Sequence, residues 1–210
     1  MKAFKILSVL VLGLFLLAAP ALAVPIIDFE TGGTGPGGVL FFFGGDASGT
    51  GIPVNNMTVS GTAASDGVYD TQGTFAYSGG TAAILNFNTQ TNFIEIIGGV
   101  SALGIPLDTT LLSGTFSQFL VFPGQAVQGS GVDQKADILL LQLALPLDTP
   151  WSFFGFSITG QPIPGVPNTW EGLSTDVKNT GKVPEPISLI LLGSGLAGAG
   201  LYRRFRKPRG

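Results

Sequence analysis

Neither histidine nor cysteine occurs anywhere in the 210 residues. Without imidazole or thiolate there is no Ser-His-Asp or Cys-His chemistry, and zinc or copper sites built on those ligands are excluded. Without cysteine no disulfide braces the fold, so apolar packing must carry its stability. Positive charge is nearly as scarce in the body of the chain. From Val24 to Lys182 only Lys135, Lys178 and Lys182 are basic, against twelve Asp or Glu, a formal charge of −9. The whole-chain value of −3 hides this, because the other seven basic residues lie at the two ends. So acidic a domain repels phosphates, which excludes nucleic acid as a partner. Tyr and Trp are few (3 and 2) while Phe reaches 16, a bias that favours a packed core over an aromatic binding stripe.

What is present at the start is an export signal. Lys2 and Lys5 precede an apolar run from Ile6 to Ala18, and Ala21-Leu22-Ala23 forms a small-x-small cleavage site. The run is shorter than the ~20 residues a membrane span needs. Residues 1–23 are therefore expected to be a signal peptide, helical while it lasts, cut by signal peptidase after Ala23. No cysteine follows it, which rules out a lipid-modified N-terminus.

The middle of the chain reads as all-β. Ala83, Leu85 and Phe87 alternate with Asn86 and Asn88, and Phe154, Phe156 and Ile158 alternate with Ser157 and Thr159. Further strands are expected at 26–30, 38–43, 56–61, 73–78, 92–97 and 114–122. Gly, Asn, Asp, Ser and Pro clusters such as FGGDASGTGIPVNN supply turns between them. DILLLQLALPLD has the length of a strand and ends at a proline, although so short an apolar run cannot be typed by periodicity alone. Nine short strands suggest an antiparallel two-sheet sandwich, jelly-roll-like or Ig-like, over residues 24–160. Residues 161–182 are proline-bearing, lack apolar alternation, and read as a flexible stalk, with Ile163, Val166 and Trp170 able to pack back on the domain.

Candidate chemistry is sparse. Glu30, Glu95 and Glu171 are the only Glu residues between Val24 and Lys182, and no spacing pairs them for glycoside hydrolysis. The reading is therefore not an enzyme, and without a cofactor. Asp46, Asp66 and Asp70 put hard oxygen donors in Gly-rich stretches and are weak calcium candidates, with Asp133 and Asp137 a further pair. None fits the EF-hand or nonapeptide pattern, and loop Asp residues usually form turns. Trp151 and Trp170 are the candidate sugar-stacking faces, although packing is the default for both. The Asn56-Met57-Thr58 sequon is a short match without an assigned role.

The last 28 residues carry most of the functional information. Ile187 to Tyr202 would rise about 24 Å as a helix, slightly short of a ~30 Å hydrocarbon core, with four glycines thinning its hydrophobicity. Arg203, Arg204, Arg206, Lys207 and Arg209 then hold the tail on the cytoplasmic side, leaving the domain outside. A plain anchor explains that much, but not Val183-Pro184-Glu185-Pro186, whose prolines keep the chain extended just ahead of the span. Triplet, Gly-containing span and basic end, in this order, resemble the PEP-CTERM sorting signal of exported Gram-negative proteins. The resemblance covers 183–210 together with the signal peptide. It implies that Pro184, Glu185 and Pro186 are read by exosortase, a membrane protease, with 187–202 and 203–209 as the retention element. It implies transient residence in the inner membrane and a final place at the cell surface or in the matrix, in a setting of exopolysaccharide production. The expected role is a structural surface or biofilm-matrix protein. The rival is a carbohydrate-binding module delivered by the same signal.

Overall fold

A computed structural model describes residues 23–31, 37–62, 64–77 and 80–182. The signal peptide with Ala21, the Pro184-Glu185-Pro186 triplet, the span at 187–202 and the basic residues after it lie outside the described residues. Ala23 is described, ahead of the first strand, and exposed.

Twelve strands join in antiparallel ladders: β1 (Ile26–Glu30), β2 (Gly37–Phe43), β3 (Asp46–Val54), β4 (Asn56–Ser60), β5 (Gly67–Asp70), β6 (Phe75–Tyr77), β7 (Gly80–Asn88), β8 (Phe93–Val100), β9 (Ile105–Phe122), β10 (Ala126–Lys135), β11 (Trp151–Pro162) and β12 (Thr169–Gly181). A 3₁₀ turn, Ser101–Leu103, separates β8 from β9, and one helix, α1 (Asp137–Gln142), follows β10. Eight of the strands form a closed ring in the order β2, β3, β7, β8, β9, β10, β11, β12, sealed where β12 pairs β2. The all-β antiparallel expectation holds, but the two-sheet sandwich does not: the sheet curls onto itself as an up-and-down barrel.

Closure rests on β12. One edge pairs β11 from Trp151↔Gly181 to Pro162↔Trp170. The other edge pairs β2 near Trp170 and then β1, from Glu30↔Asp176 to Ile26↔Thr180. The stretch from Asp46 to Ser60 divides its partners in the same way. Its first half, β3, lies between β2 and β7, and its second half, β4, lies between β1 and β5. The break between them is Asn55, whose Nδ2 donates to Thr31 O (2.9 Å) and whose N–H donates to Glu30 O (3.0 Å). A buried amide thus satisfies the carbonyls that the break frees. Among the described residues every strand of the ring is paired on both edges, and the sheet ends instead at β5, which pairs β4 alone.

An eight-stranded barrel leaves an interior just wide enough for side chains to fill. Here Phe fills it over glycine. A Cβ on Gly49 would stand 2.3 Å from the Phe87 ring, and one on Gly131 would stand 2.0 Å from Thr115 O and 2.6 Å from the Phe153 ring. Phe116 sits amid this layer, edge-on to Phe87, Phe119, Phe153 and Phe156 at centroid separations of 5.1–6.3 Å. Leu40, Leu85, Ile94, Ile96, Ile158 and Val177 are among the fully buried residues of the ring strands.

Two expectations fail in this region. DILLLQ is a helix, not a strand. Leu139, Leu140 and Leu143 are buried while Leu141 is exposed, the spacing of a helical face against the barrel. The helix stops in a Schellman motif, with Ala144 in left-handed conformation (φ 53°), Ala144 N–H donating to Leu141 O and Leu145 N–H to Leu140 O. Pro146 then bars continuation. Residues 161–182 are likewise not a stalk, because β12 occupies Thr169–Gly181 and the compact unit closes only at Lys182. The strand hides from a hydrophobicity reading because its inward positions include Thr175, Asn179 and Gly181 beside Val177.

Candidate functional site

The lumen contains one group of charged side chains at the α1 end, built by three neighbouring strands. Along β10, Val127, Gly131, Asp133 and Lys135 are buried, which sends both charged side chains into the barrel. From β12, Asn179 enters from the opposite side of β11, and from β11 itself Trp151 covers the group. The side chains of Lys135 and Asp133 are both 0% exposed and in direct contact as an ion pair. Lys135 Nζ also donates to Asn179 Oδ1 at 3.1 Å and sits 4.9 Å from the centre of the Trp151 ring. Asn179 Nδ2 donates to Val177 O (2.7 Å) and Ile27 O (3.1 Å). Asp133 Oδ1 and Trp151 Nε1 are buried without a hydrogen-bond partner among the described residues. Burial pushes the Lys135 ammonium well below its ordinary range, because the charged form loses its water. A groove of about 880 Å³ touches Asp133, Lys135 and Trp151 and opens between the outer face of β9–β10 and the Leu147–Pro150 segment.

A second charged group lies on the other face of β12 and on its neighbour β1. Lys178 Nζ is 2.9 Å from Asp28 Oδ2 and 3.9 Å from Asp176 Oδ2. Glu30 is near enough to act on Asp176 and accepts a hydrogen bond from Thr58 Oγ1 (3.2 Å). Partial burial first, then the hydrogen bond and charge of Asp28, push the Asp176 carboxyl up to about 6. Lys178 is held above its ordinary range, chiefly by its hydrogen bond to Asp28.

The structure separates most residues singled out in the sequence. Asp46 accepts from Thr89 Oγ1 (2.8 Å) at the start of β3. Asp66 caps a turn, accepting from Thr62 N–H (2.7 Å) and Thr62 Oγ1 (2.8 Å), which holds its carboxyl below the usual range. Asp70 ends β5, exposed. Among the described residues no group of three or more acidic side chains is arranged to hold a metal ion, so the calcium reading gains nothing. Glu30, Glu95 and Glu171 lie on β1, β8 and β12, and Glu95 is bonded to Asn86 Nδ2 (3.0 Å). Trp151 is buried (4% exposed) and offers no free stacking face, while Trp170 is half-buried and packs edge-on against Phe42 at 4.9 Å. Of the lumenal group the sequence singles out Asp133, as a calcium candidate with Asp137, and Trp151, as a stacking face, but neither Lys135 nor Asn179 nor their meeting. The only trace of that meeting in the sequence is the alternation Val127, Gly129, Gly131, Asp133, Lys135, which does not say that a charged face points inward.

The end of β12 bears directly on export. Gly181 N–H donates to Pro25 O (3.0 Å) and Lys182 N–H to Pro150 O (2.8 Å), so hydrogen-bonded structure runs to the last described residue. Among the described residues no helix is long and apolar enough to cross a membrane; residues 187–202 are not among them. No curated protein and no solved structure matches the chain. Residues 182–207 match the family model described as the PEP-CTERM protein-sorting motif. That match begins where the barrel ends, and it implies export and exosortase-dependent sorting to the cell surface: the chain is a PEP-CTERM domain-containing protein.

Proposed function

We propose that this is a non-enzymatic structural protein of the cell surface or extracellular matrix, a closed β-barrel delivered by its C-terminal signal. The observation that carries the reading is the sorting motif at 182–207, joined without a spacer to the final barrel strand. In transit the span at 187–202 holds the chain in the inner membrane, barrel outside and basic end inside, while exosortase reads Pro184, Glu185 and Pro186. A lumen filled by Phe rings suits a durable scaffold better than a carrier of small ligands. The burial of Trp151 and the packing of Trp170 weigh against the rival sugar-binding module. Exopolysaccharide is then a surrounding of the protein, not a ligand held in a built site.

The test is Glu185→Ala, alongside Pro184→Ala/Pro186→Ala, followed by cell fractionation and intact mass. The wild type is expected to lose residues C-terminal to the triplet and leave the inner membrane, and both variants to keep them and stay. A wild type that retains its whole tail in the membrane overturns processing. So do variants sorted like the wild type.

A further inference from the structure

We propose that Lys135 and Asn179 become joined by a covalent side-chain amide, formed by the folded chain itself with Asp133 transferring the protons. Three features meet at one point. The amine is wholly buried, at hydrogen-bond distance (3.1 Å) from the oxygen of the amide it would attack. That amide is oriented: both acceptors of its Nδ2 are backbone carbonyls, which only an NH₂ group can bond, so Oδ1 must face the lysine. A carboxyl group touches the amine and keeps one oxygen, Oδ1, free of any partner among the described residues.

The chemistry follows from desolvation. Burial favours the neutral amine, which is the nucleophilic form, and the adjacent Asp133 carboxylate accepts its proton. The Nζ lone pair attacks Asn179 Cγ, and the protonated Asp133 donates to the developing charge on Oδ1. As the tetrahedral centre collapses, Asp133 relays the second Nζ proton to Nδ2, the Cγ–Nδ2 bond breaks, and Oδ1 returns its proton to Asp133, which is left as the neutral acid. One ammonia departs and one amide bond replaces another, with no oxidant or reductant required. The fixed geometry supplies the proximity that makes such an attack fast.

The product explains an otherwise costly arrangement. A buried ion pair gives up the hydration of both ions, and this one leaves Asp133 Oδ1 without a partner among the described residues. The amide removes the lysine charge, and the neutral Asp133 carboxyl can donate to it. The link bridges β10 and β12 across β11, in a chain without disulfides. It also lies three residues before Lys182, so a pull transmitted from the sorting motif meets a covalent tie before β12 can unzip.

Trypsin tests this directly, because Lys135, Lys178 and Lys182 are the only basic residues between Val24 and Lys182. The full chain is expressed with its export signal, recovered folded, denatured and digested. The tetrapeptide 179–182 is expected never to appear free. It should remain attached to a fragment uncut at Lys135, lighter than the sum of its parts by one ammonia. In Lys135→Met and Asp133→Ala the tetrapeptide is expected to be fully released. Free 179–182 from folded wild type overturns the proposal. So does a fragment lighter by one water, in which Lys135 is joined to Asp133. The wild-type digest decides by itself, whether or not a variant folds.

Discussion

Asn179 turns into the lumen toward Lys135 and Asp133, while its neighbour Lys178 turns outward to Asp28 and Asp176. The residue types are nearly the same on the two faces of β12, and the physics is opposite. Inside, no water screens the charges, so burial dominates and drives the lysine toward its neutral form. Outside, Lys178 is 38% and Asp176 46% exposed, so the lysine stays charged and steadies a carboxylate cluster that repels itself. The comparison teaches that a charge in this barrel is defined by the face of the strand it occupies. Lys135 on the inner face is placed as a nucleophile, while Lys178 on the outer face is an ordinary counter-ion.

The largest break in that comparison is Asp133→Leu. It leaves Lys135 in the lumen without its partner carboxylate, and removing one partner of a buried pair costs about 3–5 kcal/mol, to which loss of the amide proposed above adds. Urea unfolding of the barrel-containing chain should show the midpoint fall accordingly. A change under about 1 kcal/mol would mean that the lumen is wetter than its packing implies.

The outer cluster should respond to pH. The folded Asp176 carboxyl titrates at about 6, above its ordinary 3.8, so the folded state binds this proton more tightly than the unfolded chain does. Its contribution is fully present below 3.8 and is lost as the pH rises through about 6. Discounted for solvent screening at a half-exposed site, the expected fall is about 1 kcal/mol. Asp176→Asn should flatten that slope in a pH series of melting curves, and an unchanged slope would move its origin elsewhere.

The smallest expected effect is that of Lys178→Ala, about 0.5 kcal/mol at low salt and near zero at high salt, as for any solvent-exposed pair. If it costs as much as Asp133→Leu, the two faces of β12 do not differ as argued.

Much of the wall was legible because its strands alternate cleanly. β1 was placed at its observed bounds, and β7 and β11 nearly so, from patterns such as Leu85/Phe87 against Asn86/Asn88. β3, β10 and β12 escaped because they are built from Gly, Ser, Thr, Asp and Asn, which in isolation read as turns. Gly49 and Gly131 are inward positions whose missing side chains make room for the rings of Phe87 and Phe153 from other strands. Gly49 has meaning only once Phe87 lies above it. The helix at Asp137–Gln142 was misread for a related reason. Four consecutive apolar residues fit either period, and only the barrel end decides which face of α1 is covered.

The sequence by itself determined the export route, the absence of disulfides and of histidine or cysteine chemistry, and the sorting motif. Each is written in contiguous residues or in plain composition, and needs no partner distant in the chain. Tertiary structure alone decided that the sheet closes, since closure depends on Trp170 meeting Leu40 on one edge of β12 and Gly181 meeting Trp151 on the other. It alone decided that Lys135 and Asn179, 44 residues apart, share the dry side of the wall. Strand alternation sets which residues share a face, but only the closed barrel determines which face is inside.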